Sequence, residues 1–205
     1  MRFSVIVIRV LAVFWLGLPL HATGATLMVF GDSLSSGYGL PQDAGWVSLL
    51  ERRLQHELPD YQVINASLTG ETTHGGLSRI ESSLKTYQPS IVILELGGND
   101  GLRGQSIDLA RDNLEAIIKA CKQRRAEVLL IGMRLPPNYG PAYTQKFHSI
   151  YPELAKREHV ALLPFLMEGF SDNPALFQPD GIHPAAAAQP LILDAVWKHL
   201  RPLLH

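Results

Sequence analysis

SIVILELGGND, residues 90–100, holds a short apolar run, Ile91 to Leu96, that stops at two glycines. A run of that length, rich in β-branched side chains and bounded by turn residues, has the signature of a strand. Outward from it the same signature recurs at Leu27 to Phe30, Tyr61 to Asn65 and Glu127 to Ile131, with a weaker instance at Val160 to Leu163. Helical patterns separate these runs. Trp46 to Leu58 places Trp46, Leu49, Leu50 and Leu54 on one face, and Leu77 to Tyr87, Asp108 to Arg124 and Tyr143 to His159 supply the next three crossovers. A last helix is expected to run through the alanines to about Leu200. Strands alternating with helices imply a parallel sheet covered on both faces, because parallel neighbours cannot be joined by a tight hairpin. The expected class is α/β, in one continuous domain over residues 25–205.

In such sheets ligands sit beyond the carboxyl ends of the strands, so the loops there are the place to look for chemistry. Gly31-Asp32-Ser33 follows the first strand, Thr69-Gly70-Glu71 the second and Gly97-Gly98-Asn99-Asp100 the third. Ser33 lies in GDSLSSGYG, where Gly31 and Gly37 permit a tight backbone path. A serine there can be a turn former or helix cap, or an exposed nucleophile, and a hydroxyl becomes a good nucleophile only when a base takes its proton. An imidazole, with an ordinary pKa of about 6.5, suits that task.

Of the eight histidines, His183 stands out because it follows Asp180 by three residues in DGIHP. That spacing can bring carboxylate and imidazole together on one turn, so that Asp180 fixes the tautomer and the far ring nitrogen is left for Ser33. The competing assignment is an N-cap arrangement near the last helix. His74 in GETTHGG is the rival base, although its only nearby carboxylate is Glu71 and a solvent-exposed helix start also accounts for it. His56, His148, His159 and His199 fall in helical patterns among charged neighbours and are expected at the surface. Gly70 and Asn99 are candidate donors to an oxygen that becomes negative during acyl transfer, through a closely approaching backbone N–H and a side-chain amide.

The four segments GDSLSSGYG, NASLTGETTHGG, ELGGND and DGIHP resemble, in order and approximate spacing, the four motif blocks of the SGNH (GDSL) hydrolases. The resemblance extends over residues 26–200, and ELGGNDGLRG and RLPPNYG look particularly like a bacterial branch acting on thioesters, lysophospholipids and aryl esters. It implies a three-layer α/β/α fold with a five-stranded flavodoxin-like sheet, no metal and no organic cofactor. It also implies Ser33 as nucleophile, His183 as base and Asp180 as its orienting partner, with the Ser33 and Gly70 N–H groups and the Asn99 side chain in an oxyanion hole. By the same resemblance, and by their place on the third- and fourth-strand rim, Gly101, Leu102, Arg103 and Leu135 are expected to contact the acyl chain, with Gly101 and Gly104 giving that loop room to move.

Eighteen basic and nineteen acidic side chains give a formal charge of −1, which shows neither a nucleic-acid footprint nor a polybasic membrane anchor. Small acyl esters or thioesters are the expected partners, and the protein is expected to be a monomer. The single cysteine, Cys121, excludes an intrachain disulfide and falls on an apolar helical stripe with Ala110, Leu114, Ile117 and Ile118. At the N-terminus, Arg2 and Arg9 flank an apolar start, Val10 to Leu20 is hydrophobic, and the small residues Ala22, Gly24 and Ala25 follow. That order reads as a secretory signal over residues 1–24, with a periplasmic or secreted mature protein that keeps no membrane anchor. The same residues would also serve a carbohydrate O-deacetylase or an acyltransferase, or a catalytically silent lipid- or glycan-binding protein.

Overall fold

The structure is a computed structural model and describes residues 24–205. The expected secretory signal, apart from Gly24, lies outside the described residues.

Five strands, β1 (Ala25–Gly31), β2 (Tyr61–Asn65), β3 (Ile91–Glu95), β4 (Glu127–Ile131) and β5 (Ala161–Leu163), form one all-parallel sheet. Their spatial order is β2-β1-β3-β4-β5. Both faces of the central strands are covered: every residue of β3 is buried, and Ile91 to Leu94 are apolar. Helices α2 (Trp46–Glu57) and α7 (Gln189–Leu200) pack together on one face, and α3 (Thr73–Tyr87), α5 (Ile107–Gln123) and α6 (Pro141–Glu158) form a row on the other. Two short helices, α1 (Ser33–Ser36) and α4 (Gly98–Leu102), sit on the loops that leave β1 and β3. The apolar stripe expected on α5 is buried, and burial pushes the Cys121 thiol up to about 12, leaving it unreactive.

Two helix starts differ from expectation by more than two residues. Helix α3 begins at Thr73, four residues before Leu77, because Thr72 caps it by accepting from the Gly75 N–H at 3.2 Å. The last helix does not run through the alanines: Ala186–Ala188 form a single 3₁₀ turn and α7 starts at Gln189. Pro190 accounts for this, since a residue without an N–H fits the first turn of a helix and not its interior.

Trp46 ties α1, α2 and α7 together. It is wholly buried; its indole N–H donates to the Leu34 carbonyl of α1 at 3.1 Å, and its backbone N–H donates to Gln189 Oε1 of α7 at 2.9 Å. Trp46→Phe keeps most of the apolar packing but leaves the Leu34 carbonyl without its donor. A destabilisation of about 1–3 kcal/mol is expected, read from the midpoint of denaturant unfolding.

Candidate active site

The strand order reverses between β1 and β3, so the chain leaves these neighbours toward opposite faces and a crevice opens at their carboxyl ends. Ser33 comes from the loop after β1, Gly70 from the loop after β2 and Asn99 from α4 after β3. They line one cavity of about 700 Å³, together with His183 from the loop before α7.

Asp180, His183 and Ser33 stand in a line. His183 Nδ1 lies 2.7 Å from Asp180 Oδ2, and His183 Nε2 lies 2.8 Å from Ser33 Oγ. A carboxylate can only accept, so Nδ1 carries the ring proton and Nε2 is left to accept from the Ser33 hydroxyl. Asp180 does not sit on a helical turn and does not cap α7. Its Oδ1 accepts from the N–H groups of Ile182 and His183 at 2.9 and 3.0 Å, an Asx turn that orients the carboxylate. Partial burial pushes this carboxyl up, but those two N–H groups and the His183 ring outweigh it and hold it down at about 2. The Tyr38 ring lies against His183, centroid to centroid 4.7 Å.

Asp32 caps α1 by accepting from the Leu34 N–H at 3.0 Å, while the Ser35 and Ser36 N–H groups turn back to the Asp32 carbonyl. This turn leaves Ser33 half-buried at the cavity edge. Among the described residues the N–H groups of Ser33 and Gly70 take no protein acceptor. Gly70 has a φ of +77°, a backbone state that a side chain would strain. Asn99 is different: its Nδ2 donates to Asp32 Oδ2 and to the Glu71 carbonyl, both at 3.0 Å, so a substrate oxygen must share one of those hydrogens. Asp100, beside it, accepts from the Thr73 N–H and hydroxyl at 2.9 and 2.7 Å and pins the turn to α3.

His74 is exposed on α3 and is not among the residues lining the cavity; Glu71 is paired with Arg79 at 2.7 Å instead. Leu102 and Leu135 line the cavity, and Gly101 and Arg103 do not. Gly101 is buried where a Cβ would lie 2.6 Å from the Leu135 side chain and 2.9 Å from Phe147, so its place is set by close packing. Arg103 turns toward the neighbouring loop, donating to the Gly70 carbonyl at 3.0 Å. The loop's carbonyls are held as well: Leu102 O accepts from Tyr139, and Gly101 O and Gln105 O accept from Tyr143. His56 and His159 are exposed, whereas His148 and His199 are half-buried, with Nδ1 3.3 Å from the Met133 carbonyl and 3.0 Å from the Ala195 carbonyl, respectively.

Sequence reasoning missed most of the apolar wall, which includes Met133, Phe165, Met167, Phe177 and Ile182. Met133 follows β4, and Phe165 and Met167 follow β5, so the carboxyl-end rule that found Ser33 and Asn99 would also have pointed to these three. It missed Glu95 too, a carboxyl at the end of an otherwise apolar strand. Glu95 is wholly buried, and its Oε2 accepts from the Ser35 hydroxyl at 2.6 Å and the Asp32 N–H at 3.3 Å. Burial, then the charge of Asp32, hold its carboxyl well above the ordinary range, and burial likewise pushes Asp32 up to about 6. Among the described residues no group of three or more histidines, cysteines, aspartates or glutamates could hold a metal ion, and no helix is long and apolar enough to cross a membrane.

A serine, an imidazole and a carboxylate in hydrogen-bonded sequence, at the topological switch point of a parallel sheet, define a serine hydrolase. The chain belongs to the GDSL-like lipase/acylhydrolase family, whose pattern it matches over residues 29–190. It is 47% identical over 184 residues to esterase TesA of Pseudomonas aeruginosa, covering 90% of this chain and 92% of that one. It is 45% identical over 184 residues to thioesterase 1/protease 1/lysophospholipase L1 of Escherichia coli K12, covering 90% and 87%. The crystal structure of the psychrotrophic esterase EstA from Pseudoalteromonas, inhibited by monoethylphosphonate, superposes with a TM-score of 0.82 at 38% identity, covering 86% of this chain and 97% of that one.

The burial of Glu95 makes the stability of the fold depend on pH. An acid whose folded pKa is raised binds more protons in the folded than in the unfolded state, so it subtracts stability as pH rises above its ordinary value of 4.5. Glu95→Gln mimics the protonated form. The variant is expected to gain thermal stability relative to wild type as pH is raised from about 4.5 to 8, with the difference vanishing toward pH 4; melting curves across that range provide the check.

Proposed function

We propose that this chain is an exported esterase and thioesterase in which Ser33 is acylated and the acyl-enzyme is then hydrolysed. One observation carries the assignment: the line from Asp180 through His183 to Ser33, at 2.7 and 2.8 Å, opens onto an apolar cavity. Ser33 Oγ attacks the substrate carbonyl carbon as its proton passes to His183 Nε2, and Asp180 stabilises the imidazolium that forms. The carbonyl oxygen becomes negative and is met by the unpaired N–H groups of Ser33 and Gly70, with Asn99 as third donor. His183 then protonates the departing alcohol or thiol and takes a proton from water as the hydroxide attacks the acyl carbon; collapse breaks the bond to Ser33 Oγ and releases the acid while His183 returns the proton to Oγ.

Leu102, Met133, Leu135, Phe165 and Met167 give the cavity an apolar wall suited to an acyl chain. Fatty acyl thioesters, lysophospholipids and aryl or short-chain esters are the substrate classes consistent with that wall and with the names of the relatives. Those names favour hydrolysis of esters and thioesters over sugar deacetylation or acyl transfer. The amino-terminal pattern, a positive start, a short apolar run and small residues before Ala25, supports export to the periplasm or beyond; the proposed state there is a monomer.

Ser33→Ala is expected to abolish turnover of an aryl ester while leaving the fold intact, and a fluorophosphonate adduct mapped by mass spectrometry is expected on Ser33; an adduct on Ser35 or Ser36 instead would remove the assignment. Asn99→Ala is expected to lower kcat by roughly a hundredfold to a thousandfold with little change in KM. Because Asn99 also holds Asp32 and Glu71, melting temperature is measured alongside, and a folded variant with near-wild-type kcat would eliminate the oxyanion role. Substituting Leu135 by Ala is expected to change the ratio of long-chain to short-chain kcat/KM, whereas an equal loss at every chain length would indicate general damage.

A further inference from the structure

Ser33 and His183 are 150 residues apart in sequence and meet across two loops, and the His183 loop stands away from the core: Asp180, Gly181 and Ile182 are all exposed. Their contact must hold to a fraction of an ångström for proton transfer, so something has to tie one loop to the other. At the far end the tie is buried, where Gln189 Oε1 accepts from the Trp46 N–H and Nε2 reaches the Pro184 and Ala185 carbonyls at 3.3 and 3.4 Å.

Nearer the chemistry a single residue does this. The backbone N–H of Gln178 donates to the His183 carbonyl at 2.7 Å and its own carbonyl accepts from the Gly181 N–H at 2.9 Å, which closes the loop around Asp180. The bridge between Phe177 and Pro184 seals its base. The Gln178 side chain then leaves the loop: Nε2 donates to the Tyr38 carbonyl at 2.9 Å and to the Pro184 carbonyl at 3.3 Å. Tyr38 belongs to the segment that follows Ser33, and its ring is the one that rests on His183. The space for this carboxamide is reserved on the opposite side. Gly39 has a φ of +69°, and a Cβ there would run into the Gln178 carboxamide.

We infer that Gln178 is a positioning residue for the reaction, its carboxamide clasping the His183 loop to the Ser33 loop and so setting the Ser33–His183 contact and the seat of Tyr38 on the imidazole. The inference rests on the proposed function, since it assigns Gln178 a part in the proton transfer between those two groups. Gln178 touches neither the substrate carbonyl nor Ser33, and the rate is affected only through the placement of His183.

Two variants of the full chain test it. Gln178→Met keeps the length and removes the donor; Gln178→Glu keeps the shape and turns an acceptor toward two carbonyls. For both, kcat on an aryl ester and the second-order rate of fluorophosphonate labelling are expected to fall together by about tenfold to a hundredfold, with KM little changed and a cooperative melting transition retained. A role limited to stability would move the melting temperature and lower activity only in proportion to the folded fraction, and that result would overturn the inference. So would a folded Gln178→Met enzyme with wild-type kcat. Failure of both variants to fold also counts against it, since a clasp that only places His183 is not required by the core. A wild-type protein that neither turns over aryl esters nor takes the label would overturn the proposed function itself; a wild type that does both beside an unaffected Gln178→Met would overturn the clasp alone.

Discussion

The reversal of strand order between β1 and β3 is the constraint on which the rest of this molecule depends. Parallel neighbours require crossovers, and crossovers of one hand send the chain to opposite faces on either side of the first strand. The loops after β1 and β3 therefore part, and the gap between them cannot be filled by either. Gly31 at the end of β1 stands in register with Glu95 at the end of β3, and the residues that follow, Ser33 on one side and Asn99 on the other, face each other across the gap. A third loop, far along the chain, then has to be brought over this crevice to supply a base.

Beneath the crevice lie two carboxyls that an apolar sheet would ordinarily exclude. Asp32 and Glu95 are both buried, linked through the Asp32 N–H, and each is pushed toward its neutral form by burial. They hold the site's geometry: Asp32 caps the turn that presents Ser33 and receives the Asn99 amide, while Glu95 holds Ser35 and thereby the first turn of α1. Stability is given up at this point for a fixed placement of nucleophile and amide, the trade expected where a rigid scaffold supports chemistry. Asp180 works in the opposite sense. It sits in a partly exposed turn whose N–H groups favour its charge, so it stays ionised beside the imidazole.

Much of this is legible in the sequence. The strands β2 and β4 begin and end where the sequence pattern puts them, and Val128 to Ile131 of β4 are apolar because they are buried inside a sheet covered on both faces. Ser33, Gly70 and Asn99 were visible as unusual residues at carboxyl ends of strands, and Asp180 with His183 as a carboxylate and imidazole three residues apart. The misses share a cause: they depend on contacts between segments distant in sequence. Arg103 is near Leu102 in the chain but spends its guanidinium on the Gly70 carbonyl, and Gly101 is hidden by Leu135 and Phe147 from other elements. Gln178 has no periodicity or motif to mark it, and only the approach of the Tyr38 loop gives its carboxamide a purpose. The start of α7 differs for another reason: four alanines favour a helix, but Pro190 fits only its first turn, so α7 begins at Gln189.

The central claim is that one imidazole, oriented by Asp180, activates one hydroxyl. The pH dependence of kcat/KM on a soluble aryl ester, measured for wild type, His183→Ala and Asp180→Asn, tests it most directly. The account predicts a wild-type rate that falls toward acid as His183 takes up a proton, a His183→Ala residue of activity without that acid limb, and a loss of roughly ten-thousandfold in Asp180→Asn, where the imidazole is free to adopt the wrong tautomer. A His183→Ala protein that kept most of its activity with an unchanged acid limb would contradict it.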